Sequence, residues 1–316
     1  MCVEIKSAPV MGSSPWLRLL RLPNLLTVPG DPVAGFLLAG AVIGRHEGVL
    51  LLPVVGAALC LYCFGLILND MMDFQSDLRE RPDRPLPSGA ISWNQARGAA
   101  VALALTGLNL ALFAGFYVLC IAALLSLFII LYNARFKQIP LLGVLTMGLC
   151  RGLSFLMGVG VVWRAEISLS GLAQHTPVVL GFGIVTLSFV AISCVALHEM
   201  DPIKRMGIQR YLPFGTLLLL LPALIVAAGH RHTLAPSVTY IYLFLMAMTL
   251  LRAWLLGSLL YCAQPVPVTV GAHIRNHLVV QALLCLASGM EGLAPALFLT
   301  VLSPVFALCA RRFYSS

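Results

Sequence analysis

Five of the chain's twelve carboxylates fall between Asp70 and Asp83. They sit in Asn69-Asp70-Met71-Met72-Asp73-Phe74-Gln75-Ser76-Asp77, at Glu80, and in the basic, proline-braced run from Arg81 to Pro85 that follows. Asn69, Asp73 and Asp77 are spaced i, i+4, i+8, which lines their oxygens along one helical face. Unpaired acids so close repel one another, so they are tolerated at a water interface or around cations. Hard divalent ions take oxygen ligands, and Mg²⁺ typically bridges one or two carboxylates to substrate phosphates. Arg81, Arg84, Arg135 and Lys137 supply cations for phosphate oxygens that a metal leaves free. A second acidic run, His198-Glu199-Met200-Asp201, precedes Lys204 and Arg205. The pattern of apolar segment, acidic end and basic loop therefore occurs twice.

The segments that must position these groups are apolar almost throughout. Hydrophobic residues make up 60% of the chain, charged residues 10%, and mean hydropathy is +0.96, whereas a soluble domain carries about 25% charge. Apolar stretches near the roughly 20 residues that cross a bilayer recur along the sequence. The expected fold is all-α, a polytopic transmembrane helix bundle of about nine spans. Those spans are placed at 16–43 (interrupted at Pro29-Gly30-Asp31-Pro32), 49–72, 93–116, 118–132, 141–162, 177–197, 211–229, 235–261 and 277–309. Gly289-Met290-Glu291-Gly292 interrupts the last. Residues 1–15 form a polar N-terminal segment without the apolar stretch of a cleaved signal peptide, and 16–316 form one membrane domain.

The net charge of +8 sits mostly in loops, where it follows the positive-inside bias and argues against a nucleic-acid partner. With the N-terminus cytoplasmic, thirteen Lys and Arg fall on the cytoplasmic side and five, including Arg311 and Arg312, on the other. Both acidic runs then share the cytoplasmic face. Carboxylates and cations at the mouth of a lipid-embedded bundle fit a substrate with a phosphorylated head and an apolar tail.

The run Asn69-Asp70-x-x-Asp73-x-x-x-Asp77 with Arg81-Pro82-Asp83-Arg84-Pro85-Leu86-Pro87-Ser88-Gly89 closely resembles the first signature of the UbiA superfamily of intramembrane prenyltransferases. Leu131-Tyr132-Asn133-x-x-x-Lys137, Arg151-Gly152-Leu153-Ser154 and Arg21-Leu22-Pro23-Asn24 extend the resemblance. It implies a cavity open sideways to lipid. It also implies Asn69, Asp73 and Asp77 holding Mg²⁺ on a prenyl diphosphate, with Glu199 and Asp201 as further catalytic and metal-binding acids. By the same resemblance Arg84 and Lys137 contact the diphosphate, Asn24 and Tyr132 line the cavity, and a lipophilic, typically aromatic, acceptor takes the isoprenoid.

The second acidic run departs from the family pattern, with Pro202 and Ile203 where a further Asp is expected, and Val144 follows Gly143 where many relatives carry Asn. These departures mark a divergent member, similar to the Ebo-cluster UbiA-like proteins. Two rivals remain open: a transporter or flippase of a phosphorylated lipid, and a subunit that keeps the fold without the chemistry. Other candidates have plainer explanations. Cys60 and Cys63 form a CxxC inside an apolar run and read as packing. His273 and His277, after Pro265 and Pro267, read as a boundary loop, His198 as a helix-end cap, and Asp31 as a cap on a broken helix. Arg151 and Arg252, charges within spans, are functional candidates.

Overall fold

The computed structural model describes residues 14–162, 175–198, 207–231, 234–261 and 266–313. Those residues are helical with short connections, and seven helices are long and apolar enough to cross a membrane. The first expected span is three short helices, α1 (Pro15–Leu19), α2 (Leu22–Leu25) and α3 (Gly30–Leu38). Arg21 breaks the chain after α1 with a left-handed φ of +47°. The long helices follow as α4 (Leu51–Met72), then after short α5 (Phe74–Glu80), α6 (Trp93–Ala114), α7 (Phe116–Ala134), α8 (Pro140–Val162), α9 (Thr176–Ala196), α10 (Leu212–Arg231) and α11 (Pro236–Tyr261). Each begins and ends within a few residues of the expected span.

Local chemistry accounts for several of these boundaries. Ser92 and Gln95 close a reciprocal capping box that starts α6. Gly115, at φ +143°, turns α6 into α7 in one residue. Pro140 opens α8, where its missing N–H costs nothing.

Close contacts fix the directions. Gly107 of α6 lies against Leu61 of α4 while Gly56 lies against Leu110, an antiparallel register. Gly148 and Gly152 of α8 meet Val190 and Thr186 of α9 in the same sense. Small residues bring these helices close together, as such residues do in membranes. Helices α4, α7 and α9 therefore run parallel, and their C-terminal ends share one end of the bundle.

The expected ninth span is instead a hairpin of α12 (Val266–Leu286) and α13 (Leu293–Phe313). Gly289, at φ +89°, makes the turn. Helix α12 begins eleven residues before His277, so His273 and His277 are buried helical residues and not a boundary loop. Its polar positions (Asn276, His277, Gln281) face protein, which explains how a helix too polar to face lipid lies inside the bundle. Arg275 sits 6.0 Å from the Phe306 ring across the hairpin. The pairing returns the backbone of Arg311 and Arg312 to the end where α12 starts, correcting the side expected for them.

Candidate active site at one end of the bundle

Helix α4 stops at Met72 and α5 begins at Phe74, yet the hydrogen-bond ladder runs on through Asp73. Asp73 N–H donates to the Asn69 carbonyl at 2.9 Å, and Asp77 N–H to the Asp73 carbonyl at 2.9 Å. Asn69, Asp73 and Asp77 thus keep one face, as the spacing predicts. Phe74 packs edge-on to Trp93 with ring centroids 5.6 Å apart, anchoring α5 against the start of α6.

Two of the four expected cations, Arg84 and Lys137, converge on these acids. Arg84 Nη1 donates to Asp77 Oδ2 at 2.7 Å and lies 3.8 Å from Asp70 Oδ1. Lys137, on the turn after α7, forms an ion pair with Asp73. Tyr132, one turn earlier, is within electrostatic reach of Asp73 and Arg21. Asp70 and Asp77 are buried, at 5% and 4% exposure, whereas the Asp73 side chain is about one-third open. The loop carrying Arg84 is itself folded down, with Leu86 and Ile91 buried and Ile91 N–H bonded to the Pro85 carbonyl at 3.0 Å.

Sequence reasoning assigned no role to Arg21 beyond its place in the opening motif. Its Nη2 donates to Asp70 Oδ1 at 3.5 Å, so Asp70 holds two guanidiniums and serves to position them. Arg18 ties α1 to the same loop by donating to the Asp83 carbonyl at 2.7 Å. Tyr62 interacts with Asn24 and stands within electrostatic reach of Arg21 and Arg151. Tyr62, Asn69 and Asp73 are spaced i, i+7, i+11 on α4, a helical stripe that leads from the acids into the bundle. That periodicity was the available signal for Tyr62.

The donor set suits Mg²⁺: an amide oxygen and two carboxylates on one face, the most exposed of them open to a further ligand. Among the described residues, no three His, Cys, Asp or Glu side chains converge into a ready-made metal cage. A site that relies on substrate phosphates for its remaining ligands has no need of one. Glu199 and Asp201 lie outside the described residues, as does Lys204. Helix α9, which leads to them, ends at the acid end of the bundle, and His198 Nδ1 there lies 3.2 Å from the Cys194 carbonyl, as a helix-end group would.

Deeper in the bundle Asp31, Arg151, His277 and Gln281 form one buried polar cluster joining α3, α8 and α12. Asp31 is thus an ion-pair partner and not only a cap. Elsewhere, an apolar groove of about 300 Å³ between α11 and α13, lined by Tyr240, Phe244, Leu293 and Leu297, opens at the end opposite the acids.

A multi-pass integral membrane protein with carboxylates and cations gathered at one end of its helices is the class that fold and site define. Residues 32–279 match the UbiA prenyltransferase family, and the chain belongs to that family. It is 37% identical over 149 residues to digeranylgeranylglyceryl phosphate synthase of Methanopyrus kandleri, covering 47% of this chain and 54% of that protein. The synthase of Methanoregula boonei is 32% identical over 167 residues, 52% and 58% of the two chains. The chain spans about half the length of the curated relatives it matches. Its fold is similar to that of a UbiA homologue from Aeropyrum pernix K1, with a TM-score of 0.60 and 17% identity over 83% of this chain and 94% of that one. A UbiA homologue from Archaeoglobus fulgidus, bound to GPP and Mg²⁺, gives a TM-score of 0.55 and 18% identity over 85% and 100%.

Proposed function

We propose that the protein transfers an isoprenoid group from a prenyl diphosphate to a lipophilic acceptor in the membrane, with Mg²⁺ as cofactor. The convergence of Arg84, Lys137 and Arg21 on Asp77, Asp73 and Asp70, at the end of an apolar bundle, carries this reading. The names of the relatives point to a glyceryl phosphate product, so a hydroxyl acceptor is favoured here over an aromatic ring. The acid end faces the cytoplasm in this proposal, following the bias of Lys and Arg.

The chain's own residues divide the work. Asn69, Asp73 and Asp77, with Glu199 and Asp201 as the second acidic set, would hold the metal. Mg²⁺, when bound, supplies neutralisation of charge on the departing diphosphate. Arg84 and Lys137 exchange carboxylate partners for diphosphate oxygens, and Arg21 adds a third donor. Such preorganised charges stabilise the leaving group without reorganising during the reaction. Asn24, Tyr62 and Tyr132 flank the path inward, where apolar walls exclude water from the allylic carbon.

The test incubates purified protein in lipid nanodiscs with radiolabelled geranylgeranyl diphosphate and Mg²⁺, offering geranylgeranylglyceryl phosphate or 4-hydroxybenzoate as acceptor. Labelled ether product that disappears in Asp73→Ala and without Mg²⁺ is expected. Absence of diphosphate release with geranylgeranyl, geranyl and dimethylallyl donors alike would overturn the reading. Uptake of donor into liposomes without bond cleavage would establish transport instead.

A further inference from the structure

The Asp31 cluster carries hydrogen-bonding capacity that its own contacts leave unused. Arg151 Nη2 lies 2.7 Å from Asp31 Oδ2 and donates to the Thr27 carbonyl at 2.9 Å. Gln281 Nε2 donates to Asp31 Oδ1 at 2.6 Å and to the same carbonyl at 2.7 Å. His277 Nε2 stands 3.1 Å from Asp31 Oδ1. A carboxylate facing a guanidinium accepts only, so Nε2 carries the imidazole proton and Nδ1 presents a lone pair. Burial is nearly complete, with Asp31 and Gln281 at 0% exposure, His277 at 1% and Arg151 at 5%.

An Arg–Asp pair alone would be a neutral brace between helices, and such a brace needs neither His277 nor spare donors. Yet Arg151 Nε and His277 Nδ1 have no partner. Both side chains hold Asp31, and both rest on the Phe189 ring, Arg151 at 4.5 Å and His277 edge-on at 4.7 Å. Gln281 packs directly on the Gly30 backbone, where an added Cβ would stand 2.2 Å from its Oε1 and displace the amide from Asp31. An unpartnered N–H donor and an unpartnered nitrogen lone pair, on two side chains that share Asp31 and the Phe189 ring, complement a group that both accepts and donates: a hydroxyl.

The cluster is also tied to the acid end through the chain from Arg21 to Thr27. Tyr62 is within electrostatic reach of Arg151 on one side and of Arg21 on the other, and Arg21 pairs with Asp70. Thr27, whose carbonyl Arg151 and Gln281 share, is one turn from Asn24 and donates from its hydroxyl to the Asn24 carbonyl at 2.8 Å.

We propose that this cluster is the acceptor-hydroxyl site, with Arg151 Nε–H binding the hydroxyl oxygen and His277 Nδ1 taking its proton. The inference rests on the prenyl-transfer reading above. In the step it describes, the bond from prenyl C1 to the diphosphate oxygen breaks with its electron pair leaving on the diphosphate. The acceptor oxygen forms the new bond to C1 and passes its proton to His277, whose imidazolium Asp31 stabilises. An aspartate that fixes the tautomer and offsets the new charge is the arrangement a histidine base requires.

The experiment compares wild type with His277→Asn and Arg151→Lys, the latter keeping charge but losing Nε–H. Two readouts are taken: the ratio of ether product to free prenyl alcohol, and the thermal shifts induced by geranylgeranylglyceryl phosphate and by geranylgeranyl thiodiphosphate with Mg²⁺. The expected result is a product ratio lower by about 100-fold in His277→Asn, the scale of a lost general base, with the acceptor's thermal shift lost and the donor's kept. A ratio that stays constant while both products fall, or an acceptor shift that persists in both variants, overturns the proposal. So does the absence of any acceptor shift in wild type, or failure of both variants to fold. Acceptor shifts that vanish in the variants, in a wild type that turns over no donor, would retain the hydroxyl site and discard the transferase reading.

Discussion

Lys137 and Asp73 meet across 64 residues of sequence, joining the turn after α7 to the junction of α4 and α5. The same offset of 64 relates Gly65 to Ile129, whose side chain lies against it about two helical turns deeper. The ion pair therefore closes a parallel α4–α7 register already set by apolar packing, and it does so at the end where the acids are most open to water.

Because the Asp73 side chain is about one-third exposed, the pair adds little to stability. Lys137→Ala is expected to lower unfolding stability by about 1 kcal/mol or less. Its effect belongs in donor binding, as a raised KM for prenyl diphosphate that Lys137→Arg restores in part. Steady-state kinetics beside a thermal melt separates the two; a collapse of the melt with unchanged KM would make the lysine a brace.

Arg84 should behave in the opposite way. It is 15% exposed and faces two buried carboxylates, Asp77 and Asp70. Arg84→Ala strands buried charge and is expected to cost about 3–5 kcal/mol, far more than Lys137→Ala. Asp77→Asn in the same background should recover part of that loss, since it removes the charge left behind. Denaturation of the two single variants and the double variant tests the coupling.

How much of this the sequence carries depends on whether the signal is local. Acids are scarce in the chain, so their clustering at the end of α4 is visible in a window of fourteen residues, and the parent helices follow from hydropathy. Asp31 and His277 are 246 residues apart, and neither looks unusual in its own window. Asp31 resembles a cap beside two prolines, and His277 follows a proline-rich connection. Helix α12 was hidden for a related reason: a span enclosed by other helices is free to be polar, so a scale built on lipid contact underrates it. Arg21 lies in the opening motif, but its left-handed backbone is invisible until the chain is folded.

That backbone gives a way to separate strain from function. A left-handed conformation costs a non-glycine residue about 1–2 kcal/mol, and glycine adopts it freely. Arg21→Gly is therefore expected to leave thermal stability within about 1 kcal/mol of wild type, strain relief offsetting the lost pair with Asp70. Donor affinity should fall all the same, because one of the three cations at the acid end is gone. Isothermal titration with geranylgeranyl thiodiphosphate and Mg²⁺ measures it; unchanged affinity would remove Arg21 from the diphosphate site.

Close helix approach sets a second contrast. A Cβ on Gly158 of α8 would stand 1.9 Å from the Pro32 carbonyl oxygen and 2.9 Å from the Phe36 nitrogen, backbone atoms that cannot rotate away. Gly158→Ala is expected to cost about 1–3 kcal/mol through overpacking and to disturb the Arg151–Asp31 pair, which bridges the same two helices. Gly98 in α6 has nothing within 4 Å of the added carbon. Gly98→Ala should gain about 1 kcal/mol from helix propensity alone. Melting curves in one detergent compare the two directly.

The α12–α13 hairpin makes the sharpest topological prediction. If one span ran from His277 toward Cys309, Gly289 to Gly292 would lie in the hydrocarbon, and Arg311 would emerge across the membrane from Ser88. In the hairpin Met290 is exposed at the turn between the helices, and α13 runs back toward α2. The basic residues agree, since moving Arg311 and Arg312 to the acid side, with Arg275 now counted inside α12, turns the sequence tally of thirteen against five into fourteen against three. The polar residues of α12 fit the same arrangement, because Asn276, His277 and Gln281 find their hydrogen-bond partners on neighbouring elements that enclose the helix. An impermeant maleimide applied to oriented vesicles should therefore label Ser88→Cys and Arg311→Cys from one side and Met290→Cys from the other, each measured above the unsubstituted protein. Labelling of Ser88→Cys and Arg311→Cys from opposite sides would exclude the hairpin. It would also remove the enclosure that keeps His277 beside Asp31.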